Sequence, residues 1–306
     1  RLACDVGEGT LRPSDLKEPT ILPAGGKGPH IPELDIRVGE KMDFGVVGGG
    51  SLTLLVTKSG RWILNGKRSD DQGKTWTQCP SVAHNALQLH NGTIVALNGP
   101  GNITNGKGTI NMRTSNDDWE TVKEFKATVD IPLGKRYVSS STGMLELDDG
   151  SLLLPLYGWM DGDQVREDNT MFPISDESYK TRVIVVKSTD RGHSWKYLST
   201  ICYHPEMGRE GVNETTIIKL PSGDIFAAMR SGIHGYLDKY GRESLDEPLL
   251  VTWSRCDGKK WAEPARIYVG NKLVTGIWPE AVLTEENVLA VFRGRPYGSV
   301  VFNPDG

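Results

Sequence analysis

With 306 residues, 37% of them hydrophobic, the chain is long enough to bury a substantial core, which excludes global disorder. Its formal net charge of −4 argues against nucleic acid as a main partner, since phosphate binding needs a basic face. No apolar run reaches the ~18 residues of a membrane-spanning helix, so no membrane insertion is expected.

The first residues, "RLACDVGEG", lack a Met and read as a mature or trimmed N-terminus. Beyond them, 36 glycines and 17 prolines punctuate the whole chain. Helical periodicity is scarce. Short runs rich in Val, Leu, Ile and aromatics follow one another instead: "SLTLLVTKSG", "GTIVALNG", "GSLLLPLYG", "TRVIVVKST", "DIFAAMRSG", "PLLVTWS" and "NVLAVFRG". Each is bounded by turn residues, which predicts an all-β chain. Three N-x-S/T sequons, at Asn91, Asn102 and Asn213, are compatible with a secreted glycoprotein, the compartment expected here. The four cysteines, Cys4, Cys79, Cys202 and Cys256, show neither CxxC nor zinc spacing, and a Cys202–Cys256 disulfide is one candidate pairing. The acidic run "MDGDQVRED" at 160 to 168 reads as a solvated loop, with calcium binding as the alternative. No metal cluster is seen and no cofactor is implied.

The runs repeat. "LQLHNGTIVALNG", "LELDDGSLLLPLYG", "IKLPSGDIFAAMRSG" and the weaker "VLTEENVLAVFRGR" each read as strand, polar turn, strand. The turns end in Gly92, Gly150, Gly223 and Asn287. A second motif recurs between them. "SDDQGKTW" at 69 to 76 and "STDRGHSW" at 188 to 195 share Ser, Asp, Gly and Trp at the same spacing. "TSNDDW" at 114 to 119 reads as a shortened copy, "SRCDGKKW" at 254 to 261 has Cys256 in the Asp place, and "NPDG" at 303 to 306 opens another. The Ser and Asp side chains suit a turn that bonds its own amides, the Gly permits a left-handed backbone, and the Trp suits packing between sheets. The motif therefore reads as a fold staple rather than an active site.

The S/T-x-D-x-G-x-T-W turn, repeated once per four-stranded sheet, resembles the Asp-box (BNR repeat) of the sialidase-like β-propellers. The resemblance runs from residue 69 to the last residue. It implies a single β-propeller domain over 1–306 built of four-stranded antiparallel blades, six or seven in the full protein, or five if the ring closes within this chain. It also implies a mouth at the starts of the inner strands. His84 with Asn85, Arg136 with Tyr137, Asn213 with Glu214, and Trp278 with Glu280 lie there, and Arg230, Arg293 and Arg295 lie at the ends of the following strands.

"NETTIIKLPSGDIFAAMR" at 213 to 230 is similar to the sialidase segment in which a glutamate precedes an arginine by 16 residues, matched here by Glu214 and Arg230. The resemblance implies that Glu214 serves as base and that Arg230 grips a substrate carboxylate through its planar fork. The first arginine of the family's triad has no counterpart, since Ile31 and Pro32 lack an arginine before them. Three functional classes follow. A monomeric glycosidase cleaving an acidic oligosaccharide or polysaccharide stands first. A uronic-acid polysaccharide lyase stands second, with His84 or Tyr137 as base and Arg136, Arg230 or Arg293 as neutraliser. Arg293 and Arg295 then share one strand face by period-two alternation. A non-catalytic glycan-binding propeller stands third, with Trp278, Trp159 and Tyr157 stacking on sugars.

Overall fold

The computed structural model describes residues 54–82, 85–99, 103–133, 138–140, 143–163, 179–203, 210–231, 248–269, 272–294 and 299–303. Among them every regular element is a strand, and no helix occurs. His84, Arg136, Tyr137, Arg295 and most of "NPDG" lie outside the described residues.

Most of the described strands form five successive antiparallel units, and Tyr268–Val269 with Lys272–Leu273 forms a separate two-stranded ribbon. The first runs Leu54–Val56, Trp62–Leu64, Lys67–Ser69 and Thr77–Gln78 in sequence order. The second is built on Leu87–Gln88, Ile94–Leu97, Lys107–Ser115 and Lys123–Asp130, and the third on Leu145–Glu146, Leu152–Gly158, Arg182–Ser188 and Ser194–Cys202. The fourth runs Asn213–Lys219, Ile225–Arg230, Leu249–Ser254 and Ala265–Arg266. The fifth has three strands, Ile277–Leu283, Leu289–Gly294 and Ser299–Asn303. The second and third units are not separate sheets. Ser194–Lys196 pairs in parallel with Thr128–Asp130, which fuses them into one ten-stranded sheet.

Each unit opens with a hairpin closed by one type of turn. The amides of Gly60, Gly92, Gly150, Gly223 and Asn287 each donate to the carbonyl three residues earlier. All five residues have positive φ, from 63° at Asn287 to 90° at Gly92. A Cβ on Gly92 or Gly223 would meet no atom within 4 Å, so the backbone angle alone calls for glycine there. The Gly60 turn is a fifth copy that the sequence pattern hid, because it precedes Gly92 by only 32 residues while the later copies lie 58 to 73 apart.

Side chains from adjacent units interlock. Ile63 of the first unit meets Ile94, Ala96 and Trp119 of the second. Met112 and Val129 meet Leu152, Leu154 and Trp195 across the second and third units. Leu153 and Val185 meet Ile217 and Met229 of the fourth, and Phe226, Ala228 and Val251 meet Leu289 and Val291 of the fifth. Middle strands thus bury both faces. Leu152–Gly158 is buried at all seven positions, which is why such segments read as unbroken apolar runs rather than alternating ones. Each fully buried Leu, Ile or Val contributes about 1.5–3 kcal/mol.

The Ser-x-Asp turns hold as expected. Ser69 Oγ donates to Asp71 and accepts the Gly73 amide, while Asp71 accepts the Thr75 amide and hydroxyl. Ser188, Asp190, Gly192 and Ser194 repeat the arrangement. Trp76 and Trp195 donate Nε1–H to Gly73 and Gly192 carbonyls at 3.0 and 3.1 Å. With Cys256 in the Asp place, Ser254 Oγ still accepts the Gly258 amide at 3.0 Å.

Three expectations are corrected. The "TSNDDW" turn is full length: Ser115, Asp117 and Thr121 make the same bonds, and Trp119 stands where the other copies have Gly. Its φ is 67°, and it is fully buried against the first unit with Nε1–H on the Pro80 carbonyl at 2.9 Å. Second, Cys202 is a free thiol, buried to 5% exposure, and desolvation pushes it up to about 12. Cys256 is disulfide-bonded, so the Cys202–Cys256 pairing is not made. Third, the Asn213 side chain is buried on a paired strand and is no acceptor for a glycan. Asn91 sits in an exposed hairpin turn, and Asn102 lies outside the described residues.

Candidate active site

The fourth unit places Glu214 and Arg230 at one end of its first hairpin. Asn213 pairs with Arg230 and Thr215 with Met229, so Glu214 is an extra residue in the ladder, a β-bulge. Its φ is +24°, a backbone conformation that side-chain-bearing residues rarely adopt. The bulge turns the Glu214 side chain onto the face that Ala228 and Arg230 share. Arg230 Nη1 donates to Glu214 Oε1 at 3.0 Å, and Nη2 donates to Glu210 Oε2 at 3.2 Å. The three side chains are only 11–13% exposed. Glu214 Oε2 also accepts the Trp278 amide of the fifth unit at 2.8 Å.

The fifth unit repeats the device. Ile277 pairs with Gly294 and Glu280 with Phe292, which leaves a second bulge at Trp278, whose φ is +54°. By register Trp278 therefore takes the place of Glu214, and Glu280 that of Thr216. Thr216 Oγ1 accepts the Ala281 amide at 3.4 Å, which seats the two inner strands against each other. Burial pushes the Glu280 carboxyl above its ordinary value, as desolvation disfavours the charged form. Gly294, not Arg293, takes the register place of Arg230. Arg293 instead donates through Nη1 to the Thr275 carbonyl, and its stem lies over Gly276.

The structure thus places Glu214 on the first strand of the fourth unit, Trp278 and Glu280 on the adjoining first strand of the fifth, and Arg230 at the end of the strand paired with that of Glu214. It adds Glu210, which sequence reading missed although "GREGVNET" carries two glutamates four residues apart. The strand-forming pattern begins after Glu210, so nothing marked its side chain as turning inward. With two carboxylates on one guanidinium, the trio carries a formal negative charge, and both terminal nitrogens of Arg230 are already engaged. Asp163 of the acidic run gives its oxygens to Arg182 and the Met160 amide, and residues 164–168 of that run lie outside the described residues. No cluster of metal-ligating side chains occurs among the described residues.

No family model and no curated protein matches this chain. Solved structures do. An α-L-arabinanase from Penicillium chrysogenum, complexed with arabinobiose, is 16% identical over 82% of this chain and 76% of its own, at a TM-score of 0.57. An α-L-arabinofuranosidase from Fusarium graminearum is 14% identical over the same shares, at 0.59. A protein of unknown function from Dyadobacter fermentans is 18% identical over 84% of this chain and 71% of its own, at 0.54. At these identities the likeness is one of fold, an all-β fold of the propeller kind.

Proposed function

We propose that the chain is a glycoside hydrolase whose reaction is carried by Glu214 and Glu280 at the mouth of a propeller, with the five units as successive blades. One observation carries the reading: a glutamate held at φ +24° on a bulge, its carboxylate fixed by Arg230 and the Trp278 amide, beside a strand whose own carboxyl is biased toward the protonated form. Hydrolysis of a glycosidic bond uses two carboxyl groups in unlike environments, one to protonate the leaving oxygen and one to act as nucleophile or base. Glu280 suits the first role and Glu214 the second. Arg230, held by two glutamates, is a positioning residue in this scheme and not a clamp on substrate.

The engagement of both Arg230 terminal nitrogens and the negative trio favour a neutral sugar, and the fold neighbours that act as an arabinanase and an arabinofuranosidase make an arabinose-containing glycan the concrete candidate. The acidic-glycan, sialidase-like reading stands second, favoured by Arg230 lying 3.0 Å from Glu214 at the same rim. Polymeric glycans are met outside the cell, and the exposed Asn91 sequon fits secretion. The test is product analysis with arabinan oligosaccharides, a sialoside and a uronate polymer. Sugar released from the first, and lost in Glu280→Gln and Glu214→Gln, supports the reading. Release from the sialoside alone favours the second.

A further inference from the structure

A pair of aromatic rings that the chemistry above does not use lies two residues from a segment bonded to the Glu210 backbone. Trp159 and Tyr179 are each partly exposed, with ring centroids 5.9 Å apart and planes tilted by 40°. A tilted pair of this kind does not bury ring face on ring face. Trp159 is held on both sides. Before it runs the fully buried strand Leu152–Gly158. After it comes a turn in which Asp163 Oδ2 accepts the Met160 amide at 2.7 Å and the Asp163 amide donates to the Met160 carbonyl at 3.1 Å. Asp163, its side chain 3% exposed, is gripped by both arms of Arg182, and the Arg182 guanidinium lies 4.0 Å over the Tyr203 ring. Trp159 thus stands between a buried strand and an ion-paired turn, with the Tyr179 ring against it.

The rings are joined to the cluster through the backbone. Tyr179 is two residues before Thr181, whose amide and hydroxyl both donate to the Glu210 carbonyl, at 2.8 and 2.9 Å. Thr181 bridges to Gly211, where a Cβ would meet the Thr181 carbonyl at 2.3 Å, so the two segments lie in direct backbone contact. Glu210 in turn holds Arg230, and Arg230 holds Glu214. Two residues of extended chain and one strand spacing put Tyr179 roughly 10 Å from the Glu210–Gly211 backbone.

We propose that Trp159 and Tyr179 form a sugar-stacking subsite that holds the glycan beyond the bond being cleaved. The ligand class is a neutral sugar ring of an oligosaccharide. Its C–H face is apolar and electropositive at the hydrogens, and it complements the electron-rich face of an indole or phenol. The backbone after Trp159 is already held by the Asp163 turn, so less freedom is lost there on binding, which favours affinity. The subsite rests on the glycosidase reading for its place in a reaction, but its binding is testable without turnover.

The experiment compares the whole protein with Trp159→Ala, Tyr179→Ala and Trp159→Phe on two substrates. An aryl arabinofuranoside reaches only the cleavage site, whereas an arabinan oligosaccharide also reaches the rings. Trp159→Ala is expected to raise KM for the oligosaccharide about 10-fold, the size of a lost stacking contact, and to leave the aryl substrate within about twofold. Trp159→Phe, which keeps a ring, is expected to restore most of the loss. Melting curves check that each variant is folded. Binding is measured in parallel by calorimetry on Glu280→Gln against neutral and acidic oligosaccharides, with and without Trp159→Ala. Equal loss on both substrates, or no oligosaccharide whose affinity falls with Trp159→Ala, overturns the subsite. Wild-type protein that binds through Trp159 but cleaves neither substrate overturns the hydrolase reading and leaves the subsite standing.

Discussion

Replacing Trp195 by Ala tests the packing between units. Trp195 is 1% exposed and lies against Met112, Leu152 and Leu154, side chains of two units. Truncating a buried Trp to Ala costs about 3–5 kcal/mol through lost transfer energy and the cavity left behind. The Gly192 carbonyl also loses its indole donor, which adds about 1 kcal/mol. Set against a total of roughly 5–15 kcal/mol for a folded domain, that loss is large. Trp76 is the matched control. It makes the same bond to Gly73 but is only partly buried, so Trp76→Ala should cost about 1–2 kcal/mol. The assay is urea unfolding followed by far-UV circular dichroism, with the midpoint falling and the slope unchanged. A cost for Trp195→Ala below about 1 kcal/mol, or no greater than for Trp76→Ala, would refute the packing argument.

Other outcomes follow from the same geometry. Arg230→Ala leaves two carboxylates facing each other with little water, and should cost about 3–5 kcal/mol in urea unfolding, while Arg230→Lys should cost clearly less. Asp71 is held at about 2 by the Thr75 amide and hydroxyl and by Ser69, and Asp117 at about 2 by the Thr121 hydroxyl and amide, both from an ordinary 3.8. A depressed folded value stabilises the fold above pH 3.8 and is lost as pH falls toward 2, so Asp71→Asn with Asp117→Asn should flatten the acid limb of a stability–pH curve in that window. Expressed through a secretory host and mapped by peptide mass, the protein should carry glycan at Asn91 and none at Asn213. Trp119→Gly should relieve a positive φ yet still lower the urea midpoint, because an indole buried against Ile63, Ile94 and Ala96 outweighs about 1 kcal/mol of backbone strain.

Much of the fold was legible because it is written in local turn chemistry. Gly92, Gly150, Gly223 and Asn287 mark hairpins whose backbone needs positive φ, and Ser69, Asp71, Ser188 and Asp190 mark turns that satisfy their own amides. Trp119 was misread because motif spacing assumed a Trp at the end of the turn, whereas the core between the first and second units is filled from the Gly position instead. The parallel pairing of Ser194–Lys196 with Thr128–Asp130 joins residues far apart in sequence, and no local pattern encodes it. Glu214 and Arg230, singled out by the resemblance in their spacing, do lie in contact, but the two bulges beside them were not legible. An extra residue in a strand changes which face the side chain takes, and only the register with Arg230 and Gly294 reveals it. Glu210 and Arg182 escaped notice, and Asp163 was read as part of a solvated loop, for a related reason: charged residues near strand ends look solvated until a partner from another segment reaches them.

The pairing of Glu214 with Glu280 is tested most directly by turnover of arabinan oligosaccharides, followed as reducing ends released, in wild type, Glu214→Gln and Glu280→Gln. Release by wild type, near-complete loss in both variants with melting temperatures preserved, and a rate that falls as pH rises through the raised Glu280 value are the expected results. Undiminished release in either variant, or formation of an unsaturated uronate from an acidic polymer in place of hydrolysis, would contradict a two-carboxylate hydrolase at this mouth.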